Sequence, residues 1–176
     1  MTQSQIYLIV TYVCEADTEV VGVDASDRHA RIALAANIFH PQGGGQPHDH
    51  GSVAGIDVTP VKDAETDMVW LTLPDEAEVR SSRFTAGAQV SSRIDPKLRR
   101  LHAALHTAAE ALPVTAGERD GKRTITIEGL ATEFCGGTHV TDLSMLTDVA
   151  VRSVKVKSGR LRIGYAAEHV KPGGEG

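Results

Sequence analysis

The amino-acid sequence predicts an α+β protein, in which an N-terminal lobe resembling a small antiparallel β-barrel precedes an α+β domain. Three observations lead to this prediction. Short apolar or alternating runs, separated by Asp, Gly and Pro, fill the first half of the chain. One long segment in the second half has helical periodicity, and alternating runs return after it. We place the two domains at residues 1–91 and 92–171.

The composition is that of a globular protein whose halves differ in charge. The 176 residues are 41% hydrophobic, with a formal charge of −5, and no apolar run is long enough to span a membrane. The N-terminus lacks the basic flank and cleavage site of a signal peptide, so we expect a cytoplasmic protein. Residues 1–90 hold 5 Lys and Arg against 13 Asp and Glu, whereas residues 91–176 hold 13 against 10. A polyanionic partner would therefore meet the second half.

Four runs in the first half are predicted strands, because apolar and β-branched residues recur between turn-forming residues. They read "IYLIVTYV", "ARIALAANIF", "GSVAGIDV" and "DMVWLTL". The loop "HPQGGGQPHDHG" (residues 40–51) separates the second run from the third, and its four glycines and two prolines exclude regular structure. Its glycines permit positive φ angles and a close approach of the backbone to another group.

The segment "IDPKLRRLHAALHTAAEAL" is the predicted helix. Asp95 suits the N-cap and Pro96 suits the first helical position. Apolar residues recur at helical spacing and predict one buried face: Leu98, Leu101, Leu105, Ala109 and Leu112. Pro113 ends the run.

Two alternating runs follow the helix, "TITIEGL" and "DVAVRSVKVKSGRLRIGY", and the second predicts a hairpin that turns at Ser158 and Gly159. This hairpin contains a stretch with no acidic residue and five basic ones: Arg152, Lys155, Lys157, Arg160 and Arg162. Such a cluster either contacts phosphate groups or is a solvated strand face. The run alone does not distinguish these alternatives.

Two histidines share one face of the predicted helix, because His102 and His106 are four residues apart. A single histidine on a core-facing stripe is usually a satisfied core residue. Two buried imidazoles without partners would each cost about 1–3 kcal/mol. A metal ion bound by both would remove that cost, so the spacing raises the prospect of a metal site.

A cysteine and a third histidine stand four residues apart in "EFCGGTHV". Gly136 and Gly137 between them allow a turn tight enough for Cys135 and His139 to face one ion. Three imidazoles and one thiolate form the ligand set that Zn²⁺ prefers. The sequence therefore predicts a zinc site between the helix and this loop, with its structural or catalytic role left open. In a cytoplasmic protein a disulfide between Cys135 and Cys14 is the weaker interpretation.

Three motifs in this order, the glycine loop, "HAALH" and "EFCGGTHV", resemble the editing domain of alanyl-tRNA synthetase and its free-standing AlaX-type trans-editing relatives. The resemblance extends from about Arg31 to Tyr165. Thr138 favours the alanyl branch, since the related threonyl domain typically has Pro at this position. One departure concerns specificity, because Asn37 stands where the family usually has a Thr that recognises the serine hydroxyl. An asparagine amide can still bond to a hydroxyl.

The resemblance implies a zinc-dependent hydrolase that deacylates mischarged tRNA(Ala), with serine as the first expected substrate and glycine as the second. It implies His102, His106, Cys135 and His139 as zinc ligands. Around the reaction it implies Gln46, Asn37 and Thr138, with Asp49 the other meaningful side chain of the glycine loop. We expect the tRNA to lie along seven basic residues: Lys97, Arg99, Arg100, Lys155, Lys157, Arg160 and Arg162.

Several alternatives stay open at this point. The zinc can be structural, in a tRNA- or protein-binding module without catalysis, or the chain can deacylate a different mischarged tRNA. A zinc hydrolase acting on a small ester or amide is a further alternative, and the basic stretch disfavours it. General-base assistance can come from Glu133, from the substrate's own amine or 2′-hydroxyl, or from zinc-bound water.

Overall fold

The structure is a computed structural model, and it describes residues 2–25, 30–74, 83–109, 114–120, 122–127, 132–157 and 160–171. The chain divides into two compact units, Met1–Arg99 and Arg100–Gly176. The described residues are mostly β, with a six-stranded closed barrel and one α-helix. At this level the predicted fold class is confirmed. The predicted boundary after residue 91 stays a prediction, while the division between the two units falls within the helix.

Thirteen strands and one helix are present among the described residues. The strands are β1 (Ser4–Gln5), β2 (Glu15–Asp24), β3 (Arg31–Leu34), β4 (Ala36–Asn37), β5 (Gly51–Val53), β6 (Ile56–Lys62), β7 (Val69–Thr72), β8 (Gln89–Ile94), β9 (Val114–Arg119), β10 (Lys122–Ile127), β11 (Thr132–Phe134), β12 (Leu146–Lys157) and β13 (Arg160–His169). The helix α1 covers Pro96–Ala109, and two short 3₁₀ helices cover Ile6–Leu8 and Leu143–Met145.

The first unit is built on an antiparallel barrel in the strand order β2-β3-β7-β6-β5-β8. Alternate residues of β8 are buried and exposed, as the two-residue period of a strand requires. The largest apolar side chains that fill the core are Phe39, Phe84, Ile32, Leu34, Ile38 and Leu71. Burying each such side chain contributes about 1.5–3 kcal/mol, which makes the barrel a stable base for the loops between its strands.

One strand prediction in the first unit is wrong, and two strands there were not predicted. Residues 6–13 are not a strand: Ile6–Leu8 forms a 3₁₀ helix, and the N–H groups of Ile9 and Val10 both donate to the carbonyl of Ile6. A short apolar run has the same composition in a turn and in a strand, so only pairing distinguishes them. The strands β2 and β8 were not predicted from the sequence, because exposed Asp, Glu and Ser residues and the buried polar residues Thr18 and Ser92 interrupt the apolar pattern.

The helix begins where the sequence predicts. The Asp95 carboxylate accepts hydrogen bonds from the backbone N–H groups of Lys97 (2.8 Å) and Leu98 (3.1 Å), as an N-cap does. Its buried face differs from the leucine stripe, since Leu101 is 40% exposed. The residues that are buried instead are Arg99, His102, Ala103, Ala104 and Thr107. Polar side chains with partners therefore occupy the buried face of α1. The predicted helix end at Leu112 and Pro113 lies outside the described residues.

The second unit combines α1 with a sheet and a hairpin. Its three-stranded antiparallel sheet has the order β11-β10-β9, and β12 pairs with β13 as the predicted hairpin. The turn at Ser158 and Gly159 lies outside the described residues. The Tyr165 hydroxyl donates to the Leu105 carbonyl at 2.9 Å and so attaches β13 to α1. No helix in the described ranges is long and apolar enough to cross a membrane.

Candidate metal centre and glycine-rich loop

Three of the four predicted metal ligands come together in the second unit. The ligand-capable atoms of His106, Cys135 and His139 all lie within 4.8 Å of one another. Cys135 Sγ is 3.1 Å from Nε2 of His139 and 3.4 Å from Nε2 of His106. His106 comes from the last turn of α1, whereas Cys135 and His139 come from the loop that follows β11. A helix and a tight turn therefore direct one thiol and two imidazoles at a common point.

The donor set and the two separations from Cys135 Sγ fit a zinc ion. Ligands at Zn–S distances of about 2.3 Å and Zn–N distances of about 2.0–2.1 Å in a tetrahedron lie about 3.3–3.6 Å from each other. The S···N distances of 3.1 and 3.4 Å in the cluster are close to that range. Sulfur and imidazole nitrogen also favour Zn²⁺ over Mg²⁺ and Ca²⁺, because those two ions bind mainly oxygen ligands.

The fourth predicted ligand, His102, lies outside this three-residue group. It precedes His106 by one helical turn, and its side chain is 7% exposed. Its role as a ligand stays a prediction. A group of three protein ligands is the number that catalytic zinc sites use, and a fourth would close the site.

Gly137, which lies between Cys135 and His139, allows the helix α1 to approach the cysteine loop closely. A Cβ atom on Gly137 would lie 2.1 Å from Nε2 of His106, well inside the contact distance. A Cβ on Gly136 would meet nothing within 4 Å. Neither glycine has a positive φ angle. The requirement at residue 137 is therefore space for the imidazole, and not the backbone freedom that the sequence analysis invoked.

Two residues that the sequence analysis did not identify hold the ligands in place. The Thr107 hydroxyl lies 3.3 Å from Nδ1 of His139 and accepts a hydrogen bond from the Val140 N–H at 3.1 Å. A partner on Nδ1 leaves Nε2 available to a metal ion, as is common for metal-binding histidines. The Arg123 guanidinium donates to the backbone carbonyls of Cys135, at 3.2 Å, and of Gly137. Neither residue belongs to a recognisable motif, so only the fold brings them to the site.

The environment favours the neutral form of both imidazoles of the cluster. Burial lowers the pKa of His106 and of His139, and the positive charge of Arg123 lowers both further. The pKa of His139 falls to about 3, with His106 as an additional contributor. A histidine must be deprotonated to bind a metal ion. The lowered pKa therefore favours the metal-binding form of both, and His139 keeps that form through the mildly acidic range.

The glycine loop of the first unit closes through a tight turn. Gly43 and Gln46 exchange backbone hydrogen bonds of 3.1 and 2.9 Å, and the two residues between them, Gly44 and Gly45, have φ angles of +57° and +82°. Positive φ at both central positions is the geometry of a type I′ turn, which glycine adopts at low cost. The positive φ angles that the sequence analysis predicted are therefore present at Gly44 and Gly45. Gln46 itself is buried, at 3% exposure.

A buried ion pair anchors this loop to the barrel. The Arg99 guanidinium is fully buried and donates to both carboxylate oxygens of Asp49, to the Ile38 carbonyl and to the Thr11 carbonyl. The same carboxylate accepts the His40 N–H at 2.6 Å. Asp49 and Arg99 thus tie both ends of the glycine loop to the first turn of α1. This corrects the expectation that Arg99 contacts tRNA, since its cation has no exposed surface and five donors directed into the protein.

Asn37 and Thr138, the other two residues predicted around the reaction, are also buried. The Asn37 side chain is 0% exposed, and its amide bonds to the backbone of Phe39 in both directions, at 2.9 and 3.2 Å. Its amide therefore stabilises the chain turn between β4 and the glycine loop. Thr138 is 1% exposed and lies within the Cys135–His139 loop. The catalytic roles of Asn37, Gln46 and Thr138 stay predictions.

The predicted phosphate-contacting residues other than Arg99 have varied exposure. Lys97, Lys155, Lys157 and Arg162 are exposed, as is Arg152, and Arg100 is half-buried. Lys155 and Arg162 are direct cross-strand partners of the β12–β13 hairpin, so their side chains share one face. The side chains of Arg160 and of Glu133, the possible general base, lie outside the described residues.

Comparison with known proteins tests the resemblance that the motifs suggest. The chain is 33% identical over 118 residues to the alanyl-tRNA editing protein AlaX-M of Pyrococcus horikoshii, which covers 65% of this chain and 50% of that protein. It is 32% identical over 109 residues to the alanine–tRNA ligase of Methanococcoides burtonii, covering 58% of this chain and 11% of the ligase. The resemblance to alanyl-tRNA editing proteins is confirmed. The chain spans about half the length of the first relative, and no family model matches it.

Proposed function

We propose that this protein is a zinc-dependent aminoacyl-tRNA deacylase, which hydrolyses the ester of mischarged tRNA(Ala) in trans. Serine is the first expected amino acid and glycine the second. The observation that carries the proposal is the His106–Cys135–His139 cluster, found in a chain similar to an alanyl-tRNA editing protein. The proposed place of action is the cytoplasm, and the proposed role is the fidelity of translation.

A need for such an enzyme follows from the limits of binding selectivity. A synthetase pocket that accepts alanine distinguishes a ligand that differs by one methylene or hydroxyl group by only about 1–3 kcal/mol. Serine and glycine differ from alanine by such small changes. A second site that hydrolyses the wrong ester adds a second selection step, which is the purpose of editing.

The residues of the cluster have distinct proposed roles. His106, Cys135 and His139 bind the metal, with His102 as the fourth candidate, and a bound zinc ion supplies Lewis acidity for polarising the ester carbonyl. Thr107 orients the His139 ring through Nδ1. Burial and Arg123 lower the pKa of both imidazoles, which favours the neutral form that binds the ion.

The β12–β13 hairpin is the proposed contact for the tRNA backbone. Arg152, Lys155, Lys157 and Arg162 are exposed on it, and the acidic residues of the chain are concentrated in the first half. Phosphate contacts of this kind release counterions, so the affinity should fall with salt. Lys97 and Arg100 are further candidates on α1, and Arg160 completes the set on the hairpin.

One alternative is a non-catalytic module in which the zinc only stabilises the fold. The position of His102 bears on it, because a structural zinc site normally has four protein ligands, whereas the atoms brought together here come from three residues. A deacylase acting on a different mischarged tRNA is the other alternative. Asn37 bonds to the backbone of Phe39 through one amide donor and one acceptor position, and its remaining donor and acceptor capacity is proposed to contact the amino acid.

A substrate panel tests the proposal and separates these alternatives. The protein would be incubated with seryl-, glycyl- and alanyl-tRNA(Ala) and with a correctly charged seryl-tRNA(Ser), each with and without a zinc chelator. We expect fast, chelator-sensitive loss of the seryl or glycyl ester on tRNA(Ala), with the alanyl ester spared. Hydrolysis of seryl-tRNA(Ser) at the same rate would support the different-tRNA alternative, and no hydrolysis of any ester would support the binding module.

A further inference from the structure

Arg123 is attached to the cysteine loop by its backbone as well as by its side chain. It lies in β10 opposite Glu118 of β9, and its carbonyl accepts the Cys135 N–H at 3.0 Å. This bond continues the β10–β11 pairing one residue past the end of β11. The position of Cys135 is thus set by the register of the sheet.

The Arg123 side chain also donates hydrogen bonds to the turn that follows Cys135. Its Nε donates to the Cys135 carbonyl at 3.2 Å, and Nη2 donates to the Gly137 carbonyl. Nη2 also lies 3.8 Å from Cys135 Sγ. One planar group therefore holds two carbonyls, two residues apart, on the inner side of the loop, next to the thiol.

These hydrogen bonds are important because the loop has little space to move beside the His106 ring. The Gly137 backbone lies so close to the His106 ring that a Cβ atom there would be 2.1 Å from Nε2. A small displacement of the turn would therefore move the His106 ring or change its distance to Cys135 Sγ, which is 3.4 Å. The carbonyl of Gly137 is one of the two that Arg123 holds.

We infer that Arg123 is a positioning residue for the metal site. Its hydrogen bonds to the carbonyls of Cys135 and Gly137 set the separation of the ligands and thereby the affinity for zinc. The inference rests on the proposed metal site, since it gives this chain's own arginine a role towards that ion. Partners that orient the ligands of a metal ion typically change its affinity by 10–100-fold when removed. An arginine suits the role because its donors form a rigid planar fork, which the single ammonium of lysine does not reproduce.

The test measures zinc affinity by competition with a chromophoric chelator for the wild type, Arg123→Gln, Arg123→Lys and Arg119→Gln. Arg119 is the matched control, because it lies on the neighbouring strand β9 with its guanidinium 4.5 Å from the centre of the Phe134 ring. The Co²⁺ forms of all four proteins would be compared through the thiolate-to-metal charge-transfer band, which reports Cys135 coordination. Far-UV circular dichroism of the metal-free proteins checks that each variant is folded.

We expect Arg123→Gln and Arg123→Lys to bind zinc about 10–100-fold more weakly than the wild type and to have a weaker or shifted charge-transfer band. Arg119→Gln should stay within about twofold of the wild type. Wild-type affinity in folded Arg123→Gln would overturn the inference, and so would full affinity in Arg123→Lys, because charge alone would then suffice. If Arg123→Gln does not fold, Arg123→Lys decides the question. Absence of zinc binding by the wild type would instead refute the proposed metal site.

Discussion

Gly137 is the residue at which the site tolerates the least change. Its alanine variant would place a Cβ atom 2.1 Å from Nε2 of His106, so the ring or the turn must move. We expect Gly137→Ala to weaken zinc binding by at least about tenfold, because the ligands lose their spacing. A chelator competition titration measures this directly.

Gly136→Ala is the matched control for that variant. It adds the same methyl group to the adjacent residue, where nothing lies within 4 Å, so its zinc affinity should remain within about twofold of the wild type. Equal losses in both variants would mean that the flexibility of the loop, and not the space for His106, is the requirement.

The histidines of the cluster also predict how stability depends on pH. Burial first, and then the positive charge of Arg123, lowers the pKa of His139 from its ordinary value of 6.5 to about 3 and lowers the pKa of His106 below the same ordinary value. Below about pH 6.5 the unfolded chain therefore takes up protons that the folded protein does not. The free energy of unfolding of the metal-free protein should fall as the pH drops from about 6.5 towards 3.

Urea denaturation followed by far-UV circular dichroism at pH 7 and pH 5.5 measures this loss of stability. His139→Gln, which removes the more strongly shifted imidazole, should lose less stability than the wild type over the same interval. An identical loss in the two proteins would show that other groups determine the pH dependence.

Some residues of the metal site could be predicted from the sequence, and others could not. Spacing was sufficient to identify His106, Cys135 and His139, because short motifs place their side chains by local geometry. The roles of Arg123 and Thr107 could not be predicted, because each is one polar residue in an ordinary strand or helix. Their contacts depend on how β10 meets the cysteine loop and on how α1 faces it. Arg99 was misassigned because a sequence does not show whether a cation has a buried partner.

Among the elements, the glycine loop depends most on one interaction, the buried pair of Asp49 and Arg99. Replacing Asp49 by Asn leaves the Arg99 guanidinium buried without an opposite charge, and breaking such a pair by removing one partner costs about 3–5 kcal/mol. We expect Asp49→Asn to lower the stability of the barrel unit by roughly 3 kcal/mol. The fluorescence of Trp70 in β7, the one tryptophan of the chain, reports unfolding of this unit.

An exposed ion pair of the same barrel serves as the control. Glu15 and Arg93 lie 3.3 Å apart with side chains that are 65% and 68% exposed, so Glu15→Gln should change the stability by less than about 1 kcal/mol. Similar small effects of both variants would contradict the anchoring role of Asp49.

The β12–β13 hairpin carries a prediction about nucleic-acid binding. Neutralising Lys155 and Lys157 together, as Lys155→Gln with Lys157→Gln, removes two exposed charges. The slope of log K for tRNA against log salt should then become about 1–2 units less steep. Filter binding at several salt concentrations measures the slope, and Lys62→Gln in β6 of the barrel should leave it unchanged. An unchanged slope in the double variant would exclude these residues from the phosphate contact.

The elements show where pattern reasoning succeeds and where it fails. Four of the six barrel strands, the capped helix start and the β12–β13 hairpin follow from alternation and from turn and cap residues, which act locally. The predictions for residues 6–13 and for the buried face of α1 were wrong, since the pairing of a strand and the burial of a helix face depend on partners distant in sequence, whereas residues 6–10 form a locally bonded turn. In this helix Leu101 is exposed, whereas Arg99 is buried. Arg99 can be buried because its hydrogen-bonded ion pair offsets the desolvation of the charged groups.

At the level of the whole molecule, the His106–Cys135–His139 cluster is proposed to make this chain a hydrolase of mischarged tRNA(Ala). The chain offers its own control, because it contains two cysteines that are not joined to each other: Cys135 in the cluster and Cys14 in the barrel unit. The two can be exchanged for alanine separately. Only one of the variants loses a proposed metal ligand.

The most direct measurement is the initial rate of seryl-tRNA(Ala) hydrolysis by the zinc-loaded wild type, Cys135→Ala and Cys14→Ala, with folding verified by circular dichroism. Loss of one ligand from the cluster should reduce the rate by at least about 100-fold, a loss of about 2.7 kcal/mol in transition-state stabilisation. Cys14→Ala should retain the wild-type rate. Wild-type hydrolysis by a folded Cys135→Ala protein would contradict the account.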